Sequence, residues 1–186
     1  MIIGIVAAKE NSNRFPGKNI YKYKGYPLFW HSVEPLIESE KVDKVYVISD
    51  SKDIMAYCKD KGVDTLPRPG NMCYDDTPIY QVIRYAYNSL SEQADIIISI
   101  MANCPGHTVN DVNGAISMLE EVDLKEVRSY SLRRKTPWGY EEGGLLAFRE
   151  EVLIDKSEVS TYCGAIMTGA KEVHRLSDLE APPECP

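Results

Sequence analysis

Residues 7–19 read AAKENSNRFPGKN; Lys9, Arg14 and Lys18 supply three cations in that stretch, and Asn11, Ser12, Asn13 and Asn19 stand between and beside them. Cationic side chains interleaved with amides and a hydroxyl are the donors that a phosphate-rich ligand asks for. The stretch contains neither G-x-x-x-x-G-K-[ST] nor G-x-G-x-x-G, so a Walker-type kinase loop and a dinucleotide-binding loop are both unsupported. A solvated surface loop has a similar composition, so residue types alone leave phosphate binding and plain exposure open.

Where the chain puts the stretch bears on that choice. It follows IIGIVAA, an apolar run of strand length, and further such runs alternate with segments of helical period, the pattern of a mostly parallel α/β sheet. PLFWHSVEPLIES sets Leu28, Val33 and Leu36 near one face, predicting a helix that begins at Pro27 and is kinked at Pro35. KVYVIS is a second buried strand, and DSKDIMAYCKDKG a helix capped by Asp50 or Ser51 and ended by Gly62. DTLPRPGNMCYDDT, with Pro67, Pro69 and Gly70, reads as a loop before the helix PIYQVIRYAYNSL, whose apolar stripe is Ile79, Ile83, Ala86 and Leu90. ADIIISI, the most continuous apolar run, is a central strand, and TVNDVNGAISMLEEV is a helix capped by Thr108. Beyond about residue 125 the period weakens; EVRSYSL, GGLLAF and YCGAIMTG read as short strands suited to antiparallel pairing. SDLEAPPECP has room for one helical turn before Pro182 and Pro183. In open α/β sheets ligands bind outside the carboxyl ends of the strands, which puts residues 7–19, and Asn103 at the end of ADIIISI, in the crevice.

A chain of 186 residues, 44% hydrophobic and 26% charged, fits one domain with a sizeable core, and no repeat or linker divides residues 1–186. A net charge of −7 argues against duplex nucleic acid as the main partner, although the run RRK at 133–135 can attract anions locally. Five scattered cysteines, Cys58, Cys73, Cys104, Cys163 and Cys185, with no C-x-x-C pair, point to free thiols in a reducing cytoplasm. MIIGIVAAKE is too short to span a membrane and lacks the basic start of a signal peptide, so no membrane association is expected.

The strand followed by AAKENSNRFPGKN resembles the N-terminal signature of the CMP-acylneuraminate synthetase family of cytidylyltransferases, A-R-x-x-S-K-R-x-P-x-K-N. Ser12, Arg14, Pro16, Lys18 and Asn19 match it in order and spacing, while Lys9 stands for Arg and Asn13 for Lys. VISDSKDI is similar to the family's V-S-T-D-S-x-x-I, RPGNMCYDDTP to R-P-x-x-L-x-x-D-x-[TS], and SIMANCPGHTVNDVNGAI to L-Q-P-T-S-P-L-R with its helix. GGLLAFREEVL and EVHRLSDLEA are fainter echoes of N-G-A-I-Y-I-F and I-D-I-D-T-x-x-D-L. The resemblance spans nearly the whole chain and implies a three-layer α/β/α Rossmann-like nucleotidyltransferase domain. It also implies a reaction: a sugar-acid hydroxyl attacks the α-phosphate of a nucleoside triphosphate, usually CTP, and pyrophosphate leaves with the help of Mg²⁺. By the same carry-over Lys9, Lys18 and Arg14 meet the triphosphate, and Ala8, Ser12, Asn19, Arg68 and Asp50 lie toward the nucleotide.

The departures are specific. Lys at position 9 keeps the charge of Arg and loses its planar fork. The family's sugar-side Gln and Arg fall on Met101 and His107, so the acceptor can differ from sialic acid; Asn103 and His107 are its candidate contacts. Aligning the late segment on Asp178 and Leu179 puts Glu172 and His174 at the usual metal carboxylates; Glu172 suits Mg²⁺, and His174 is a poor ligand for so hard an ion. Most of the segment that builds the family's dimer is missing, which leaves a homodimer open.

Each residue also has a plain structural reading. Asp50 can cap a helix, Arg68 can brace its loop, and Asp75 and Asp76 can cap the helix near Pro78. His31 and Trp30 read as packing residues, Cys104 as a small buried thiol and Trp138 as packing or a pocket border. The sequence thus supports a nucleotidyltransferase that joins a nucleoside monophosphate from CTP to a sugar or sugar acid. Use of GTP or another triphosphate on a different acceptor, and a non-catalytic nucleotide-binding protein of the same fold, are the alternatives.

Overall fold

The computed structural model describes residues 1–132, 140–154 and 163–180. The Ile- and Val-rich runs become strands buried on both faces, as parallel strands must be when helices cover both sides. In chain order the elements are β1 (Ile2–Ala7), a small hairpin of β2 (Lys22–Tyr23) and β3 (Tyr26–Pro27), α1 (Trp30–Glu38), β4 (Lys44–Ser49), α2 (Lys52–Asp60), β5 (Asp64–Pro67), α3 (Ile79–Asn88), β6 (Ile96–Ile100), α4 (Val109–Glu121), β7 (Glu126–Leu132), β8 (Tyr140–Arg149), α5 (Glu150–Ile154), β9 (Cys163–Met167) and α6 (Ser177–Glu180).

Among the described residues seven strands form one sheet in the order β5-β4-β1-β6-β8-β7-β9. The first four pair in parallel, β8 is antiparallel to both of its neighbours, and β9 is parallel to β7. Two reversals cancel, so β7 and β9 run with the parallel set, whereas the sequence suggested antiparallel pairing for all three late strands. Strand alternation divides the core between the two faces. Ile3 and Ile5 of β1, with Ile48 and Ile97, pack against Val82, Ile83 and Ala86 of α3. Val6, Val47, Ile98 and Ile100 face Val33 and Leu36 of α1, Ile54 of α2 and Val112, Ile116 and Leu119 of α4. Helices on both faces make the three-layer α/β/α architecture.

Three local expectations need correction. The first helix starts at Trp30, because Pro27 pairs with Lys22 in the hairpin; the helix then runs through a buried Pro35. Residues 64–67, read as loop, form the edge strand β5 on β4, where Pro67 ends the strand and needs no outer partner. The N-cap of α2 is Ser51 and makes no side-chain cap bond, while Asp50 turns toward the loop after β1. The Thr108 cap is present in full: Asp111 N–H donates to Thr108 Oγ1 at 3.3 Å and Thr108 N–H donates to an Asp111 carboxylate oxygen at 2.7 Å. The RRK run, Trp138, Cys185, Pro182 and Pro183 lie outside the described residues.

After β1 the chain adds β4 and β5 on one side, then crosses to add β6 on the other. Connections therefore part at β1 and β6, and the carboxyl ends of these two neighbours open onto the crevice.

Candidate active site

One wall of the crevice is the loop that leaves β1. Its root is Ala8, which is fully buried and donates its N–H to Ile48 O at 3.0 Å. Ala8 thus forms the buried root that anchors the loop. Gly17 adopts a left-handed φ of 69° and starts a 3-10 turn over residues 18–20. That turn drives Asn19 inward to 7% exposure, where its amide donates to Lys9 O at 2.7 Å and its backbone carbonyl accepts from Phe29 N–H at 3.0 Å. Asn19 Oδ1 is buried without a partner among the described residues. Lys18, one residue earlier on the same turn, donates Nζ to Val173 O at 2.9 Å. Burial lowers the Lys18 pKa, the Glu172 carboxylate opposes that, and Arg14 and Lys9 add to the lowering.

The rest of the loop is more open. Lys9 forms an ion pair with Asp75, which holds that exposed carboxyl below the usual carboxylate range. Arg14 is exposed and Ser12 half-buried. Glu10 N–H donates to Asp50 Oδ1 at 2.8 Å, so Asp50 steadies the loop and caps no helix. Arg68 donates Nε to Met72 O at 3.0 Å and a terminal guanidinium nitrogen to the same carbonyl, bracing the 70–72 turn. Burial lowers its pKa, opposed by nearby Cys73 and Asp50.

The opposite wall joins the loop after β6 to residues 169–178. Asn103 Nδ2 donates to Glu172 Oε1 and to Val173 O, each at 3.0 Å, and Val173 N–H donates to Asn103 O at 2.7 Å. Glu172 Oε2 lies 3.1 Å from His174 Nε2. His107 is buried and faces Gly143 O at 2.6 Å through Nε2; since a carbonyl only accepts, Nε2 carries the hydrogen. Burial lowers its pKa, so this ring is a neutral group and no substitute for a guanidinium. A cleft of about 840 Å³ opens beside His107, bordered by Lys24 of the hairpin, His31 and Glu34 of α1, the start of α4 and Lys171.

The fold thus brings Lys9, Arg14, Lys18, Asn19 and Asp50 onto one loop system, and links Lys18 through Val173 to Asn103 and Glu172. Met101 is half-buried and its carbonyl accepts from Ser32 Oγ at 2.8 Å. His31 is satisfied by Tyr23 O at 2.8 Å, Trp30 is buried against Phe29 and Tyr57, and Cys104 is buried. Sequence reasoning missed the role of Asp75 as the Lys9 partner and of the Val173 carbonyl as the Lys18 partner. The DDTP stretch gave a hint of the first; a backbone carbonyl leaves no sequence signal. Among the described residues no group of three or more His, Cys, Asp or Glu could hold a metal ion. Mg²⁺ takes one or two carboxylates with substrate phosphates, so Glu172 is a donor that fits an ion carried by a triphosphate.

With this geometry in hand, known proteins give the context. The chain is 23% identical over 137 residues to N-acylneuraminate cytidylyltransferase of Streptococcus agalactiae, covering 73% of this chain and 33% of the relative. It is 29% identical over 121 residues to 3-deoxy-manno-octulosonate cytidylyltransferase of Chlamydia abortus, 64% of this chain and 45% of that one. The chain therefore spans a third to a half of the length of these relatives. Its fold matches the structure of CMP:2-keto-3-deoxy-manno-octonic acid synthetase complexed with CTP with a TM-score of 0.76, 16% identity and coverage of 96% and 95%. The cytidylyltransferase family model matches residues 3–162, most of the chain, and the protein belongs to that family.

Proposed function

We propose that the chain transfers the CMP group of CTP to a hydroxyl of a sugar or sugar acid and releases pyrophosphate. The observation that carries the reading is the loop of Lys9, Arg14 and Lys18 at the carboxyl end of β1, with Glu172 across from Lys18. In the reaction the acceptor oxygen bonds to the α-phosphorus, the bond to the bridging oxygen breaks, and charge grows on the departing pyrophosphate. Fixed cations beside that charge lower the barrier, because nucleotidyl transfer depends on positioning and electrostatics more than on covalent help from the protein. Lys18 exchanges the Val173 carbonyl for phosphate oxygen, and Lys9 exchanges Asp75. Mg²⁺, when bound with the triphosphate, supplies further neutralisation of phosphate charge, and Glu172 is the residue that would hold it.

The 840 Å³ cleft beside His107 is the acceptor pocket in this reading, and Asn103 holds one of its lining residues through Val173 O. Because His107 is neutral and turned to Gly143, an acceptor carboxylate would pair with Lys171 or Lys24, both of which border the cleft. A cytoplasmic location and a homodimer belong to the same proposal. Thiols outside any disulfide at Cys58, Cys73 and Cys163 fit the former, and among the described residues no helix is long and apolar enough to cross a membrane.

Thermal stabilisation by CTP, GTP, ATP and UTP, each with Mg²⁺, tests the nucleotide: at one hundred times its dissociation constant a ligand adds about 2.7 kcal/mol. Selective stabilisation by CTP, followed by pyrophosphate release with a sugar-acid acceptor, is expected. Preference for GTP or another triphosphate would replace CTP in the reading, and binding without pyrophosphate release from any acceptor would make the protein a nucleotide binder.

A further inference from the structure

Charges of both signs border the cleft of about 840 Å³, and they are not spent on one another. Lys24 and Lys171 share it with Glu34 and Glu38, and none of these four side chains forms an ion pair among the described residues. Asp178, a fifth charged neighbour, accepts from the backbone N–H groups of His174 and Arg175. Glu34 is half-buried and Glu38 exposed, so each carboxylate is within reach of a bound molecule. Local preferences are overridden to keep these charges in place. Glu34 and Glu38 stand four positions apart on α1, which puts them on one face, and like charges at that spacing weaken a helix. Glu38 is also the last residue of α1, where the helix dipole disfavours a carboxylate, and no basic residue stands in that turn to offset it. Lys24 has φ 45°, a left-handed conformation that Gly or Asn adopts at lower cost in a tight hairpin turn. Departures of this kind from local preference gather at functional or strained sites.

A buried group on the cleft wall carries the same sign independently. His107 is 6% exposed, its Nε2 gives a hydrogen to Gly143 O at 2.6 Å, and burial keeps the ring neutral. Nδ1 is therefore a bare acceptor, and it is buried without a partner among the described residues. Such an atom is satisfied by an N–H or O–H donor and never by a carboxylate. The start of α4 adds little attraction for an anion, since the N–H groups of Thr108 and Asp111 are both taken up inside the capping box. The lysines are thus the cleft's means of holding a carboxylate, and the two glutamates with His107 call for a donor, best a cationic one.

We propose that the acceptor is zwitterionic: a sugar acid whose carboxylate pairs with Lys24 or Lys171 and which also carries a free amino group, held as an ammonium by Glu34 and Glu38. This rests on the nucleotidyltransferase reading above and names the substrate class of its acceptor cleft. A sugar acid without the amine, or with the amine acylated, leaves both glutamates unpaired beside a bound negative charge, and a site built for a donor rejects the analogue that lacks it.

Three forms of one compound are the probes: 3-deoxy-manno-octulosonate, its derivative with an amino group in place of the terminal hydroxyl, and the N-acetyl form of that amine. Each is mixed with the full chain, CTP and Mg²⁺, and pyrophosphate release gives kcat/KM. The amine should be preferred over both other forms by about tenfold or more, the scale of one charge-assisted hydrogen bond. The double variant Glu34→Gln with Glu38→Gln keeps the size of both side chains and should bring that ratio down to about one. Its thermal midpoint should equal or exceed that of the wild type, because two repelling charges are gone. Equal or better turnover of the hydroxyl or N-acetyl form by the wild type overturns the inference and leaves the nucleotidyltransferase reading intact. An undiminished preference for the amine in the double variant overturns the assignment to Glu34 and Glu38. The wild-type ratio decides the point even where the variant fails to fold. Pyrophosphate release with none of the three also overturns the inference, and the wider reading falls with it only if no other sugar or sugar acid supports release.

Discussion

The loops after β1 and after β6 leave neighbouring parallel strands at the same end of the sheet, yet they meet the crevice with opposite kinds of surface. Residues 8–19 present cations whose partners can be exchanged: Lys9 on an exposed Asp75, Arg14 in solvent and Lys18 on a backbone carbonyl. Residues 101–107 are committed to the protein, with Cys104 and His107 buried and Asn103 bound to Glu172 and Val173. In the proposed function anion attraction falls to one loop and shape to the other. A triphosphate can be caught by a loop that reorganises, whereas discrimination among acceptors needs a wall that does not.

The largest effect is expected from removing the cation that joins the two. Lys18→Ala should lower kcat/KM by about 10²- to 10³-fold, the usual cost of losing one preorganised charge-stabilising group. Global stability, measured by urea denaturation, should change by no more than about 1 kcal/mol. A small kinetic effect would mean that the loop works without its buried lysine. The pH dependence sharpens the same point. In the proposed reaction it is protonated Lys18 that binds phosphate, and burial lowers its pKa from 10.5, so triphosphate affinity should fall as pH rises through a value below 10.5. Lys18→Arg should move that fall to higher pH, since guanidinium stays charged. The linkage to stability has the opposite sense: the charged form is penalised in the fold, so Lys18 burdens stability at lower pH and does so less as pH rises through its lowered pKa.

The rigid wall should fail in stability where the loop fails in binding. Gly144 has φ +82°, and a Cβ there would lie 2.4 Å from Cys104 Sγ. Gly144→Ala adds backbone strain to a core overlap and should cost roughly 3 kcal/mol. A loss below about 1 kcal/mol by urea denaturation would show that the wall can yield. Thr108→Ala removes the side-chain half of the capping box where the wall enters α4 and should cost about 1 kcal/mol, with CTP affinity unchanged.

The same contrast explains what could be read from sequence. β1, β4 and β6 were legible because strands covered on both faces need continuous apolar runs, and α2, α3 and α4 because each buries one stripe. β5 was not, since its pairing to β4 is an edge contact ending in Pro67, and the hairpin at Lys22–Pro27 has strands too short to show a period. The cations of the first loop were legible by type. Their partners were not, because Val173 is 155 positions from Lys18 and Asp75 is 66 from Lys9, and only the fold brings them together. Likewise His174 could be recognised from sequence as a poor Mg²⁺ ligand, while its approach to Glu172 at 3.1 Å depends on the turn that Asp178 fixes.

The smallest effect expected is a gain. In the proposed function Asp75 competes with phosphate for Lys9, and its carboxyl is exposed, so the pair adds little to folding. Asp75→Asn removes the competing charge and leaves an amide of the same size beside Asn13. CTP affinity should rise by about two- to fivefold at low salt, and the gain should shrink as ionic strength rises, because screening weakens exposed pairs. Isothermal titration at two salt concentrations checks both statements. If affinity instead falls, Asp75 is holding Lys9 in the geometry that phosphate needs, and the first loop shares more of the preorganisation assigned to the second.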